Sequence, residues 1–268
     1  MADTATIAAH KQLGVLRTTY RPYRRPSWSE RSTSDKATTL ALAALPVGFV
    51  LLVLVALVVS VPAVGGVLLV VVVVIVLLGA SRRRRVAQRM QGRELHFYEH
   101  GLVNVGVGNE PPAAIRWDEA SVLQDIVRHT RNGSTSHTTY LYTLSAPDGT
   151  HTKISGIVGG IGGMERPQEW GQALQKQVTA AQLPRYTRAL ERGEALSFGD
   201  ITVSWDGITA HRNAVGWAQL QEIRVKDGYV SLRVAGKWRS LSTTAVAAIP
   251  NCFVFLALAE RMRAAARS

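Results

Sequence analysis

A stretch of 44 residues without one charged side chain, Ala37 to Ala80, constrains this chain more than any other feature. As one straight helix it would be roughly 66 Å long, about twice the ~30 Å apolar thickness of a bilayer. The chain must therefore turn back. Val61-Pro62-Ala63-Val64-Gly65-Gly66 supplies the turn, because proline lacks a backbone donor and glycine tolerates tight geometry. The expectation is a transmembrane helical hairpin over 37–80, with spans at about 38–60 and 63–80. Its valine run has strand propensity, but an isolated strand in lipid leaves backbone groups unsatisfied, which selects helix.

The charge supports the same expectation. The net +12 is not spread evenly: basic groups outnumber acidic ones seven to three in residues 1–36 and six to none in 81–93, but only 18 to 16 in 94–268. Both basic clusters flank the apolar stretch and its turn has none, so the positive-inside rule predicts a cell-membrane protein with two spans and both termini cytoplasmic. Arg82, Arg83, Arg84, Arg85 and Arg89, with Arg24 and Arg25, are then expected at anionic lipid headgroups, held non-specifically. The lipid bilayer is thus the first expected partner. Nucleic acid is not expected, because the stop at the inner leaflet already accounts for the arginines. The stretch RTTYRPYRRPSWSERS is read as an irregular segment along the membrane surface. Cys252 is the single cysteine, which excludes an internal disulfide; in its apolar run it is expected to be a buried, inert thiol.

From Glu94 the pattern changes to short alternating runs with turn signals, the mark of β structure. LHFYEHGLVNVGV turns at His100-Gly101 and ITVSWDGITAHRN turns at Asp206-Gly207. A shift of 106 pairs Leu95 with Ile201, Phe97 with Val203, Gly101 with Gly207 and Leu102 with Ile208. Each copy then reaches a tryptophan, Trp117 or Trp217, with apolar residues three and six places on. A second alternating hairpin follows in each copy, at Ala146-Pro147-Asp148-Gly149 and at Ala235-Gly236-Lys237. Each copy closes on a helical segment, Pro167 to Val178 continuing through Pro184 to Glu191, and Pro250 to Ala266. Both tryptophans read as core anchors. Trp205, opposite Glu99, is the position where the copies truly differ.

The pieces FYEHGLVNV, IRWDEASVL, FGDITVSWDGI, VGWAQLQEI and IPNCFVFLAL, covering Glu94 to Ser268, resemble the pleckstrin-homology-like fold of bacterial membrane-associated proteins. The order of elements is similar to that of a bacterial domain-of-unknown-function family in which a membrane hairpin precedes such a region. The resemblance implies an α+β membrane protein: a two-helix transmembrane hairpin followed by two tandem PH-like domains, each an antiparallel β-barrel or sheet capped by a C-terminal helix. The expected boundaries are a basic segment at 1–36, the hairpin at 37–80, a linker at 81–93, and domains at 94–193 and 194–268. Phosphoinositide-gripping members of that fold place several basic residues at the first hairpin, where only Arg212 is near here, so specific phosphoinositide binding is not expected.

Recognisable chemistry is sparse. Val158-Gly-Gly-Ile-Gly-Gly163 lacks the lysine and serine or threonine of a phosphate loop and reads as a strand-to-helix connector. Asp118 and Glu119 are adjacent rather than paired across a site, and the seven histidines lack metal spacing. Asn132-Gly-Ser134 matches a glycosylation sequon that a cytoplasmic loop would not use. No catalytic, cofactor-binding or metal-binding residue is expected. The expected function is a membrane-anchored cytoplasmic interaction or adaptor protein that presents two PH-like domains to a protein partner, with Trp205 and Arg212 as candidate contacts. The alternative is a structural or transport-accessory membrane subunit that oligomerises through its hairpin; an enzyme with an unrecognised site is the third reading.

Overall fold

The computed structural model describes residues 4–24, 32–34, 37–38, 44, 67, 70–79, 81, 92–106, 110–160, 162–211, 213–236 and 240–266. It divides into two compact units, one formed by Met1–Tyr23 with Gly92–Ser268 and the other by Arg24–Gln91.

In the larger unit, a short helix α1 (Thr4–His10) leads to β1 (Leu16–Tyr20), and the chain returns at β2 (Glu94–Tyr98), β3 (Gly101–Val105) and β4 (Ala113–Arg116). These four strands form one antiparallel sheet in sequence order. A second sheet follows from β5 (Ser121–Arg131), β6 (Ser134–Ser145) and β7 (His151–Val158), and then helix α2 (Pro167–Glu191). The same series runs again. Strands β8 (Leu196–Phe198), β9 (Ile201–Val203), β10 (Gly207–Ala210) and β11 (Asn213–Gly216) make a four-stranded sheet; β12 (Leu220–Lys226), β13 (Tyr229–Val234) and β14 (Ser242–Ala245) make a three-stranded one; helix α3 (Cys252–Ala265) closes it.

The repeat in the sequence is therefore a repeat of structure. Leu95 and Ile201 are fully buried, as are Leu102 and Ile208 to within a hundredth of their surface. Trp117 and Trp217 sit in the core and satisfy their ring donors in the same way: Trp117 Nε1 donates to the Tyr98 carbonyl at 3.3 Å, and Trp217 Nε1 to the Ser204 carbonyl at 3.1 Å. The matching glycines share one cause as well. A Cβ on Gly101 would lie 2.4 Å from the Ile115 carbonyl oxygen, and one on Gly207 would lie 2.2 Å from that of Val215. Each glycine is the first residue of its strand and lets the third and fourth strands of its sheet approach.

The first copy draws its first strand from the other side of the apolar stretch. Leu16–Tyr20, whose residues from Arg17 on were read from the sequence as irregular, pairs with β2, so that Tyr20 faces Leu95 and packs edge-on to Phe97 at 5.4 Å. Its counterpart β8 reaches β9 through Gly199 and Asp200 alone, whereas β1 and β2 are separated by residues 21–93. The apolar stretch is thus an insertion within the first hairpin of the first copy.

The membrane expectation is corrected here. Among the described residues no helix is long and apolar enough to cross a membrane. Residues 70–79 are helical, but ten residues rise only about 15 Å, half of what a bilayer requires. The two-helix transmembrane hairpin, the α+β membrane fold class and the two-span cell-membrane placement derived from it are not supported. Residues 39–43 and 45–60, most of the first expected span, and residues 63–66, 68, 69 and 80 of the second lie outside the described residues.

One continuous core joins the two copies, from Tyr20 and Leu95 through Trp170 and Phe198 to Phe255 and Met262. A buried polar hub stitches it. Asn251, just before α3, accepts a hydrogen bond from Val122 N at 2.8 Å and donates to the Ala120 carbonyl at 3.0 Å and to Gln182 Oε1 at 2.9 Å. Gln182, on α2, in turn donates to the carbonyls of Trp117 and Ala120. Asn251 has left-handed backbone angles (φ 50°, ψ 44°), which asparagine tolerates better than most residues.

Candidate functional site

The second sheets of the two copies differ in strand length. In the second copy the β12–β13 hairpin closes at Asp227-Gly228, with both residues at positive φ (51° and 80°). In the first copy the corresponding hairpin closes at Asn132-Gly133 (51° and 78°), but only after strands of 11 and 12 residues. Both pairs are two-residue turns of the kind that follows strand twist. The longer first hairpin overshoots the helix that packs on it, and everything from Asp125 to Thr135 is exposed.

That overshoot, α2 and the start of α3 enclose an open groove of about 950 Å³. Its strand wall is the inner face of the hairpin, where pleat alternation lines up Gln124 and Ile126 opposite Tyr142 and Tyr140. Its helix wall carries Gly171, Gln175, Lys176, Thr179 and Leu183 of α2. The third side is Phe253, Leu256 and Ala257 of α3. Ile126 and Phe253 both keep 44% of their surface exposed, high for side chains of this size beside a packed core. Gly171 is needed for the floor: a Cβ there would lie 2.8 Å from the Tyr142 hydroxyl.

The floor is polar. Gln175 Nε2 donates to Gln124 Oε1 at 2.8 Å, and both side chains are more than nine-tenths buried. That bond uses one group of each amide. Gln124 Nε2 and Gln175 Oε1 make no hydrogen bond to the described residues and stay open to solvent, leaving one donor and one acceptor available at the groove. Exchanging O and N in both amides swaps the two roles and leaves the pattern intact. The Thr179 hydroxyl is buried without a partner among the described residues, and it too lines the groove. Burial pushes the Tyr142 hydroxyl up to about 12, with Tyr140 beside it contributing, so Tyr142 stays a neutral phenol at any physiological pH. Unmet hydrogen-bonding groups in a half-dry site favour a ligand that satisfies them.

The candidates from the sequence lie elsewhere or outside view. Trp205 is 53% exposed at the turn between β9 and β10; its carbonyl accepts a bond from Trp217 Nε1 at 3.0 Å, and it does not line the groove. Arg24 is exposed in the segment after β1. Arg212, Arg25, Arg82, Arg83, Arg84, Arg85 and Arg89 lie outside the described residues. Gly159, Gly160, Gly162 and Gly163 lie between β7 and α2, and Gly163 packs back on β7, where a Cβ on it would meet the Ser155 carbonyl at 2.5 Å. Cys252 is buried, and burial pushes its thiol up to about 12. No group of three or more metal-ligating side chains occurs among the described residues. Sequence reasoning missed the groove, although Asn132-Gly133 was the signal for the long hairpin.

The whole chain, residues 1–268, matches the model of a family of unknown function, DUF6585. It belongs to that family. The family match bears out the expected kinship with a domain-of-unknown-function family. No curated protein and no solved structure matches the chain.

Proposed function

We propose that this DUF6585 member is a protein-interaction module that holds a segment of a partner protein in the groove between α2 and the long β5–β6 hairpin. The observation that carries the reading is the free donor and acceptor of the Gln124–Gln175 amide pair, set in the floor of a mostly apolar groove. An extended peptide offers the complementary pair, one N–H and one C=O, with apolar side chains to cover Ile126 and Phe253. In each copy a run of antiparallel strands closed by a helix gives the groove fixed walls, which supports the module reading. Trp205 remains a second proposed contact surface, at the exposed end of the second copy.

The test uses the full chain and a groove-filling variant, Ala257→Trp, with Trp205→Ala as a comparison. A random peptide library is selected on the wild-type chain. The reading requires peptides that bind wild type, lose binding at least about tenfold in Ala257→Trp, and keep binding in Trp205→Ala. Selected peptides that ignore Ala257→Trp would refute the groove as the site.

A further inference from the structure

We infer that the groove selects acidic segments: its occupant is an extended partner peptide that combines apolar side chains with carboxylates. This inference rests on the peptide-binding reading above and adds the charge of the partner.

The charge around the groove is one-sided. Among the described residues Lys176 is the one charged residue of its lining, and no carboxylate lines it. Arg128 lies two residues beyond Ile126 on the same face of β5, about 7 Å further along the groove's open end, where it faces Thr138 on β6. Neither Lys176 nor Arg128 has an ionic partner among the described residues. The nearest strand carboxylate, Asp125, points to the opposite face of the sheet by pleat alternation. Two carboxylates of the adjoining helices are already engaged, Glu169 with Arg166 at 3.1 Å and Glu260 with Arg263 at 2.7 Å, and the third, Glu191 at the last position of α2, does not line the groove. Two unpaired cations at the open side of a mostly apolar trough, with no carboxylate in its lining among the described residues, make a field that draws anionic ligands and repels basic ones. The floor amide pair is best matched by a ligand that carries both an acceptor and a donor. A fatty acid has a carboxylate and an apolar tail but no donor for Gln175 Oε1, which favours peptide over lipid.

The experiment repeats the library selection on the full chain in low and physiological salt, beside a double charge reversal, Arg128→Glu with Lys176→Glu. Both positions are exposed, so the reversal leaves the core untouched. Wild type is expected to enrich peptides with a net negative charge and two or more apolar residues. The same peptides should bind the reversed chain at least about tenfold more weakly, and their wild-type affinity should fall as salt rises. Native mass spectrometry of the purified chain is read alongside. Groove-dependent peptides without an acidic bias, or with affinity indifferent to the reversal, overturn the inference while the peptide-binding reading stands. A fatty acid carried by the chain, with no groove-dependent peptide selected, overturns both.

Discussion

Replacing Asn251 with alanine removes the side chain that ties the two copies together, and the structure sets the scale of the loss. The Asn251 side chain is 6% exposed and makes three hydrogen bonds. Truncation leaves the Val122 N–H buried without a partner, at about 1–3 kcal/mol, and takes a donor from Gln182 Oε1, at about 1 kcal/mol more. The Ala120 carbonyl keeps its bond from Gln182 at 2.7 Å, so its loss is small. Alanine is also worse than asparagine at φ 50°, by about 1 kcal/mol. The sum is about 3–5 kcal/mol, a large fraction of the stability of an ordinary domain. Urea unfolding followed by tryptophan fluorescence reads it through the buried Trp117 and Trp217. Asn251→Gly relieves the backbone but makes none of the lost bonds, so it should recover about 1 kcal/mol relative to alanine. A midpoint shift in Asn251→Ala equivalent to less than about 1 kcal/mol would show that the hub does not couple the copies, and would refute the reasoning.

Three further outcomes are expected. Gly101→Ala and Gly207→Ala should each destabilise by about 1–3 kcal/mol, because the new Cβ meets a carbonyl oxygen of the neighbouring strand; a thermal melt within the error of wild type would count against the close-approach argument. The hydrogen bond from Lys11, then those from Thr150, hold the exposed Asp148 carboxyl down at about 2, against an ordinary 3.8. Its stabilising contribution is fully present above pH 3.8 and lost as pH falls toward 2, so Lys11→Met should flatten the acid limb of the stability curve there, and an unchanged limb would refute the pairing. Cys252, buried and with its thiol at about 12, should resist iodoacetamide in the folded chain and react after denaturation; rapid native labelling would contradict its burial.

The repeat was legible because it lives in local patterns. Alternation places Leu95 and Ile201 on core faces, and a tryptophan after each hairpin has few roles beyond filling a small core. The glycines of His100-Gly101 and Asp206-Gly207 were visible too, but for another reason than the turn: neither has a positive φ, and each is set by the oxygen of a neighbouring strand. The apolar stretch was the strongest signal in the chain and led the fold reading astray. Hydropathy reports what a segment can do, not which helices it forms, and the described helical residues 70–79 are too few to span a bilayer.

By itself the sequence determined the two-copy β architecture, the core tryptophans, the closing helices and the fate of Cys252, since each depends on periodicity or composition within a short window. Only the tertiary structure decided the rest. It made Leu16–Tyr20 the first strand of a sheet whose next strand lies 74 residues further on, from Tyr20 to Glu94. It brought Asn251 to Val122, and Gln124 to Gln175, across separations of 129 and 51 residues. Such contacts leave no local trace, because a polar side chain acquires its role only when folding removes water and leaves it one available partner.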